Sequence, residues 1–164
     1  MVALLALALQ VLAVTGPLGD GDTARRLLLV TSYLLLIAFV ALNVRRPGIV
    51  VIGLGLLLNF AAIVANEGLM PITPEAVMRT GPLPQDAAIG DWLPGSKDIL
   101  LAREDVRLWF LGDRLVWQDI SFAFRAFSIG DIVIVAGLLV TLGDFFLPRV
   151  RRLPRPDATA GPAA

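Results

Sequence analysis

The stretch Gly48–Pro71, GIVVIGLGLLLNFAAIVANEGLMP, decides the fold. Residues 48–66 carry no charge and are apolar apart from Asn59 and Asn66, enough for a helix across the roughly 30 Å hydrocarbon core of a bilayer, which takes about 20 such residues. Positions 48, 52, 55, 59, 62 and 66 follow a 4-3-4-3-4 spacing and share one helix face, reading Gly, Ile, Gly, Asn, Ala, Asn. Small residues on such a face let a second backbone approach closely, and asparagines hydrogen-bond across the gap. Glu67-Gly68 and Met70-Pro71 then break the run.

Working outward, three further oily blocks appear. Met1–Thr15 is almost wholly apolar, with Gln10 its one strongly polar side chain. As a helix it covers only about 22 Å at 1.5 Å per residue, and extension to Leu18 across Gly16-Pro17 nearly closes the gap. A cleaved signal peptide is the rival reading, but a charged start and a small-residue cleavage site are missing. Leu18–Arg26 reads as a solvated turn; its two Gly-Asp pairs lack the spacing of a calcium loop. Leu27–Val44 is the second block, closed by the basic hairpin Arg45-Arg46-Pro47-Gly48, with proline suited to the first turn of the next helix.

The fourth block, Ile129–Leu147, opens on Ser128-Ile129-Gly130-Asp131, a capping-box pattern. Positions 130, 134, 137, 141 and 144 read Gly, Ile, Gly, Thr, Asp, echoing the third block. The two faces are expected to meet antiparallel along Gly48, Gly55, Gly130, Gly137 and Thr141, with Asn59 at the depth of Gly137 and Asn66 at that of Gly130 and Asp131. Asp144 is expected to pair with Arg45, Arg46 or Arg149.

Between these blocks, 67–127 is a long polar connection. Thr73-Pro74-Glu75 reads as a helix start, ending near Gly81-Pro82. Lys97–Leu111 fits a helix or a hairpin with Glu104-Asp105 at its tip. Trp92, Trp109 and Trp117 suit either a membrane interface or a small core. Glu104, Asp105, Asp113 and Asp119 have no metal-motif spacing, and the adjacent Ser96-Lys97 does not make a catalytic pair.

The architecture expected is all-α: an integral membrane bundle of about four helices at 2–18, 27–44, 48–66 and 129–147, with an extracytoplasmic segment at 67–127. Together 1–147 make one membrane domain, and 148–164 a basic, disordered cytoplasmic tail. Arginines at 45, 46, 149, 151, 152 and 155 would lie on one side and Arg25 and Arg26 on the other, which puts both termini in the cytoplasm.

Composition removes whole classes of chemistry. There is no cysteine and no histidine, so thiolate nucleophiles, Ser-His-Asp triads and most zinc or haem sites are out. Formal net charge is zero with 14 basic and 14 acidic residues, which offers no field to recruit nucleic acid. No catalytic residue, metal or cofactor is expected. An intramembrane enzyme would need Asp or Glu chemistry.

Asn59, Asn66–Ala76 (NEGLMPITPEA), Lys97-Asp98, Leu111-Gly112-Asp113 and Phe127–Asp131, in that order, resemble a family of small bacterial multi-pass membrane proteins known only as a domain of unknown function (5317). The resemblance runs from about Leu4 to Phe146. It implies the bacterial inner membrane, brings no activity or catalytic residue, and suggests that the Asn/Met-Pro corner and the Gly-Asp helix start belong to one feature. Members often begin with a further hydrophobic hairpin, so this chain is expected to start later. Two functions follow. One is a non-enzymatic membrane component that binds lipid or a partner membrane protein. The other is a small-molecule or ion-binding protein with a polar site at Asn59, Asn66, Glu67 and Asp131.

Overall fold

A computed structural model describes residues 1–18, 22–83, 86–116 and 126–146. The chain is mostly helical. Helix α1 spans Val2–Thr15, α2 Asp22–Leu42, α3 Pro47–Ala65, α4 Pro74–Thr80 and α5 Ile129–Phe146. Of these, α2, α3 and α5 are long and apolar enough to cross a membrane.

Helix α1 is shorter than the expected 2–18 span. Gly16, the residue before Pro17, adopts extended backbone and ends it, and the Arg25 guanidinium binds that end by donating to Ala13 O (2.6 Å) and Gly16 O (3.2 Å). Ala13 O has no intrahelical donor, because residue 17 is proline, so a cation at these carbonyls suits the negative end of the helix dipole. Arg25 can reach them because α2 begins at Asp22 rather than at 27, taking Arg25 and Arg26 into its first turns. Gly19, Asp20 and Gly21 lie outside the described residues.

The connection is not purely helical. Strand β1 (Met70–Ile72) pairs in parallel with β2 (Asp98–Leu100), and α4 crosses between them. Strand β3 (Leu115–Val116) pairs antiparallel with β4 (Ala126–Phe127). The expected start of α4 is present: Thr73 caps it through Ala76 N–H (3.4 Å), and Gly81 closes it. The hairpin reading of 97–111 is corrected, because 98–100 finds its partner in β1, far away in sequence. Residues 109–111 form a single 3-10 turn.

Helix α3 is the central element, with α2 on one side and α5 on the other. The core lies at one end of the bundle. Leu29, Tyr33, Leu56, Ala62 and Ile63 from the helices bury together with Leu69, Met70, Ile99 and Leu111 from the connection. The connection adds a small core of its own, Ile72, Ala76, Val77 and Leu100. It therefore sits as a cap on the helix ends. At the opposite end Asp144, Arg45 and Arg46 line one concavity, but among the described residues Asp144 forms no ion pair. Arg149 and the basic tail lie outside the described residues.

Candidate functional site

The close approach of α3 and α5 begins with four glycines. A Cβ on Gly48 would collide with Thr141 Oγ1 and sit 2.8 Å from Gly137 O. One on Gly55 would sit 2.6 Å from Gly130 O, and one on Gly137 would sit 2.6 Å from Ile52 N. Only glycine admits backbone this near. The sequence-based depth is corrected by one heptad: Asn59 lies against Gly130, not Gly137. Glycines seven apart on both helices permit either register, and the polar contacts at the helix ends select between them.

Those contacts start at the α5 cap. Ser128 Oγ accepts from Asp131 N–H (3.0 Å), and Asp131 Oδ2 accepts from Ser128 N–H (3.0 Å), a complete capping box. Its spare valences meet Asn59, which is fully buried. Asn59 Nδ2 donates to Asp131 Oδ1 (2.6 Å), and Ser128 Oγ donates to Asn59 Oδ1 (2.7 Å). Each end of the Asn59 amide is thus engaged by α5.

The cap supplies a cation to the same place. Backbone pairing fixes Lys97, whose carbonyl accepts from Met70 N–H (3.0 Å). Its Nζ then lies 3.3 Å from Asp131 Oδ2 and 3.5 Å from Asp113 Oδ2. Asp113 is brought in by its own N–H, which donates to Pro71 O (3.1 Å). Asp98 is buried beside it. Asp98 Oδ1 and Asp113 Oδ1 have no hydrogen-bond partner among the described residues, and two buried carboxylates beside a single ammonium favour keeping a proton on one of them.

The electrostatics agree. Burial pushes Asp113 well above the ordinary carboxylate range; Lys97 pulls against it, and Asp98 adds to the push. Burial likewise raises Asp98 against the pull of Lys97. Burial alone would lower Lys97, but Asp113 and the other acids outweigh it and hold the ammonium well above its usual range.

The other two proposed site residues stand elsewhere. Asn66 is the C-cap of α3. Its Nδ2 donates to Ala62 O (2.7 Å) and Arg107 O (2.8 Å), and its Oδ1 accepts from Arg107 N–H (2.9 Å). Glu67 takes a left-handed φ of 61°, and Gly68 N–H returns to Ile63 O (2.8 Å), a Schellman ending with a glutamate where glycine is usual. Glu67 is bound by Arg26, through its carbonyl (2.7 Å) and its Oε2 (3.1 Å). Both residues terminate α3, so the expected four-residue site is divided, with Asn59 and Asp131 in one place and Asn66 and Glu67 in another. Of the acids considered for a metal, Asp113 turns to Lys97, Glu104 and Asp105 face solvent, and Asp119 lies outside the described residues. Trp92 joins the core, donating to Ser96 O (2.8 Å) with Arg25 3.6 Å above its ring. Trp109 is exposed, and Trp117 lies outside the described residues.

Lys97, Asp98 and Ser128 are site members that pattern reasoning passed over. Lys97-Asp98, Leu111–Asp113 and Phe127–Asp131 are segments quoted above for the family resemblance, and the fold gathers them around Asn59. The model of a family of unknown function, DUF5317, matches residues 1–142. The chain belongs to this family. No curated protein and no solved structure matches it. In this DUF5317 chain Asn59, Lys97-Asp98, Asp113 and Ser128–Asp131 converge on one polar cluster that ties the cap to α3 and α5.

Proposed function

We propose that this DUF5317 protein is a non-enzymatic, multi-pass component of the cell membrane that binds a partner protein or lipid. In this reading α1 to α3 and α5 form the membrane unit of residues 1–147, both termini are cytoplasmic, and 67–127 is an extracytoplasmic cap. The observation that carries it is the closure of Asn59. Asn59 is 0% exposed, with one Nδ2 donor and its Oδ1 acceptor engaged by Asp131 and Ser128 at the start of α5, so its amide presents no open face to a ligand. The cluster is a latch. What stays uncovered is apolar: Leu4, Leu5, Leu7 and Val11 on α1, and Val135, Leu139, Phe145 and Phe146 on α5. Such faces belong against lipid or other helices.

Affinity purification from native membranes, with mass spectrometry of co-purifying protein and lipid, tests the binding. A single protein or lipid class recovered in constant ratio supports it; a chain that purifies alone and free of lipid refutes it. Topology is testable cleanly because the chain has no cysteine. Ile89→Cys should react with an impermeant maleimide on intact cells, and Arg45→Cys only after lysis. The reverse pattern overturns the orientation.

A second reading, a small-molecule or ion-binding protein with a polar site at the outer ends of α3 and α5, draws support from the buried, donorless Asp98 Oδ1 and Asp113 Oδ1. A cation-dependent thermal shift that Asp113→Asn abolishes would favour it over the latch.

A further inference from the structure

One exposed feature of the cap is left unused by the latch. Asn66 grips the backbone of Arg107 from both sides. The next residue, Leu108, takes a left-handed conformation, φ 52° and ψ 43°, which a branched side chain rarely adopts. The turn it forces throws Trp109 (51% exposed) and Phe110 (44%) outward, while Leu111 plunges into the core. Gly112 follows, so near Pro71 O that a Cβ would lie 2.8 Å from it. A mobile loop would not need a strained residue, a double side-chain grip and a close backbone crossing. Two large apolar rings are being held out on a rigid mount.

Position and charge say what for. The knuckle packs against α3 and α5, and its mount, Asn66, is the C-cap of α3. It is therefore level with the place where the apolar helices end. Arg114 lies 4.7 Å and Arg103 5.7 Å from the Trp109 ring, and Arg107 is exposed beside them. Among the described residues none of these three guanidiniums forms an ion pair, although Glu104 and Asp105 share the same turn. Aromatic rings beside arginines that form no ion pair among the described residues, at the depth where hydrocarbon gives way to water, match a layer of phosphate headgroups over acyl chain.

We infer that Trp109 and Phe110 insert into the bilayer interface at the cap end of the helices, with Arg103, Arg107 and Arg114 meeting lipid phosphates. The inference rests on reading α2, α3 and α5 as membrane-spanning. It adds that the cap lies down on the lipid instead of standing clear of it.

The test uses the full chain in lipid nanodiscs. Phe110→Cys carries a spin label, and its collisions with oxygen and with a water-soluble nickel complex are compared. Headgroup burial predicts nickel collisions reduced several-fold relative to free label in water. In parallel, brominated lipids should quench wild-type tryptophan emission more than that of Trp109→Phe, most strongly with bromine near the headgroup. Trp109 is exposed, so this variant should fold normally. Arg103→Gln/Arg114→Gln should reduce nickel protection more in phosphatidylglycerol discs than in phosphatidylcholine discs. Full nickel access, or equal quenching of wild type and Trp109→Phe, overturns the inference. So does protection that appears only with two copies per disc, which would assign the knuckle to a protein contact. Failure of the chain to enter nanodiscs would instead overturn the membrane reading beneath it.

Discussion

Replacing Asn59 with leucine removes the donor to Asp131 Oδ1 at 2.6 Å and the acceptor for Ser128 Oγ at 2.7 Å. Two interhelical hydrogen bonds at the average measured in membranes, about 0.6 kcal/mol each, would cost only about 1.2 kcal/mol. The larger effect is what remains behind. Ser128 is fully buried and keeps an incoming bond from Asp131 N–H, but its own hydroxyl proton is stranded. Asp131 keeps Lys97 and the Ser128 N–H but loses its shortest partner. A stranded buried group costs about 1–3 kcal/mol, so we expect a total of about 2–4 kcal/mol. For a chain of this size that is a fall in Tm on the order of 10 °C. Thermal unfolding in detergent measures it. Added to Ser128→Ala, the leucine should cost less than it does alone, because one stranded partner is already gone. A shift within error of zero, or strict additivity with Ser128→Ala, would refute the latch.

Three further outcomes follow from the same geometry. Lys97→Met leaves Asp113 and Asp131 without their cation and should destabilise by about 3–5 kcal/mol, with part of the loss recovered in Lys97→Met/Asp113→Asn; equal stability of the single and double variants would argue against the charge cluster. Because folding raises Asp98 and Asp113, the folded state holds more protons than the unfolded one, so stability should be greatest near the unfolded carboxylate pKa of about 4 and fall as pH climbs through the raised values. The contribution of Lys97, also raised, persists across that window and is lost only at strongly alkaline pH. A Tm series between acid and neutral pH, flattened by Asp113→Asn, checks the sign. Gly137→Ala should cost about 1–3 kcal/mol because its methyl meets the Ile52 backbone, whereas Gly143→Ala, with open space around it, should be neutral or stabilise by up to about 1 kcal/mol. Equal effects in the two would mean that α3 and α5 do not pack through this face.

The sequence by itself determined what depends on neighbours along the chain. The apolar lengths of α2, α3 and α5, the capping box at Ser128–Asp131, the Thr73 cap and the glycine faces are all set by residues within a turn or two of one another. Local periodicity and hydrogen-bond need decide such features. The end of α1 is set locally by Pro17, which excludes helical backbone at Gly16, but the cation that binds its last carbonyls comes from Arg25 in the next helix and was not legible. Strand pairing of 70–72 with 98–100 was not legible either, since three-residue strands carry no period to read. The register of α3 on α5 was decided only in three dimensions: two glycine lines with a seven-residue repeat fit equally well one heptad apart, and the choice falls to Asn59 meeting Ser128 and Asp131. The candidate site divided for the same reason. Helix spacing placed Asn59 and Asn66 on one face, but which partners reach each asparagine depends on how the connection folds back, and that brought Lys97 and Asp113 to one and the Arg107 backbone to the other.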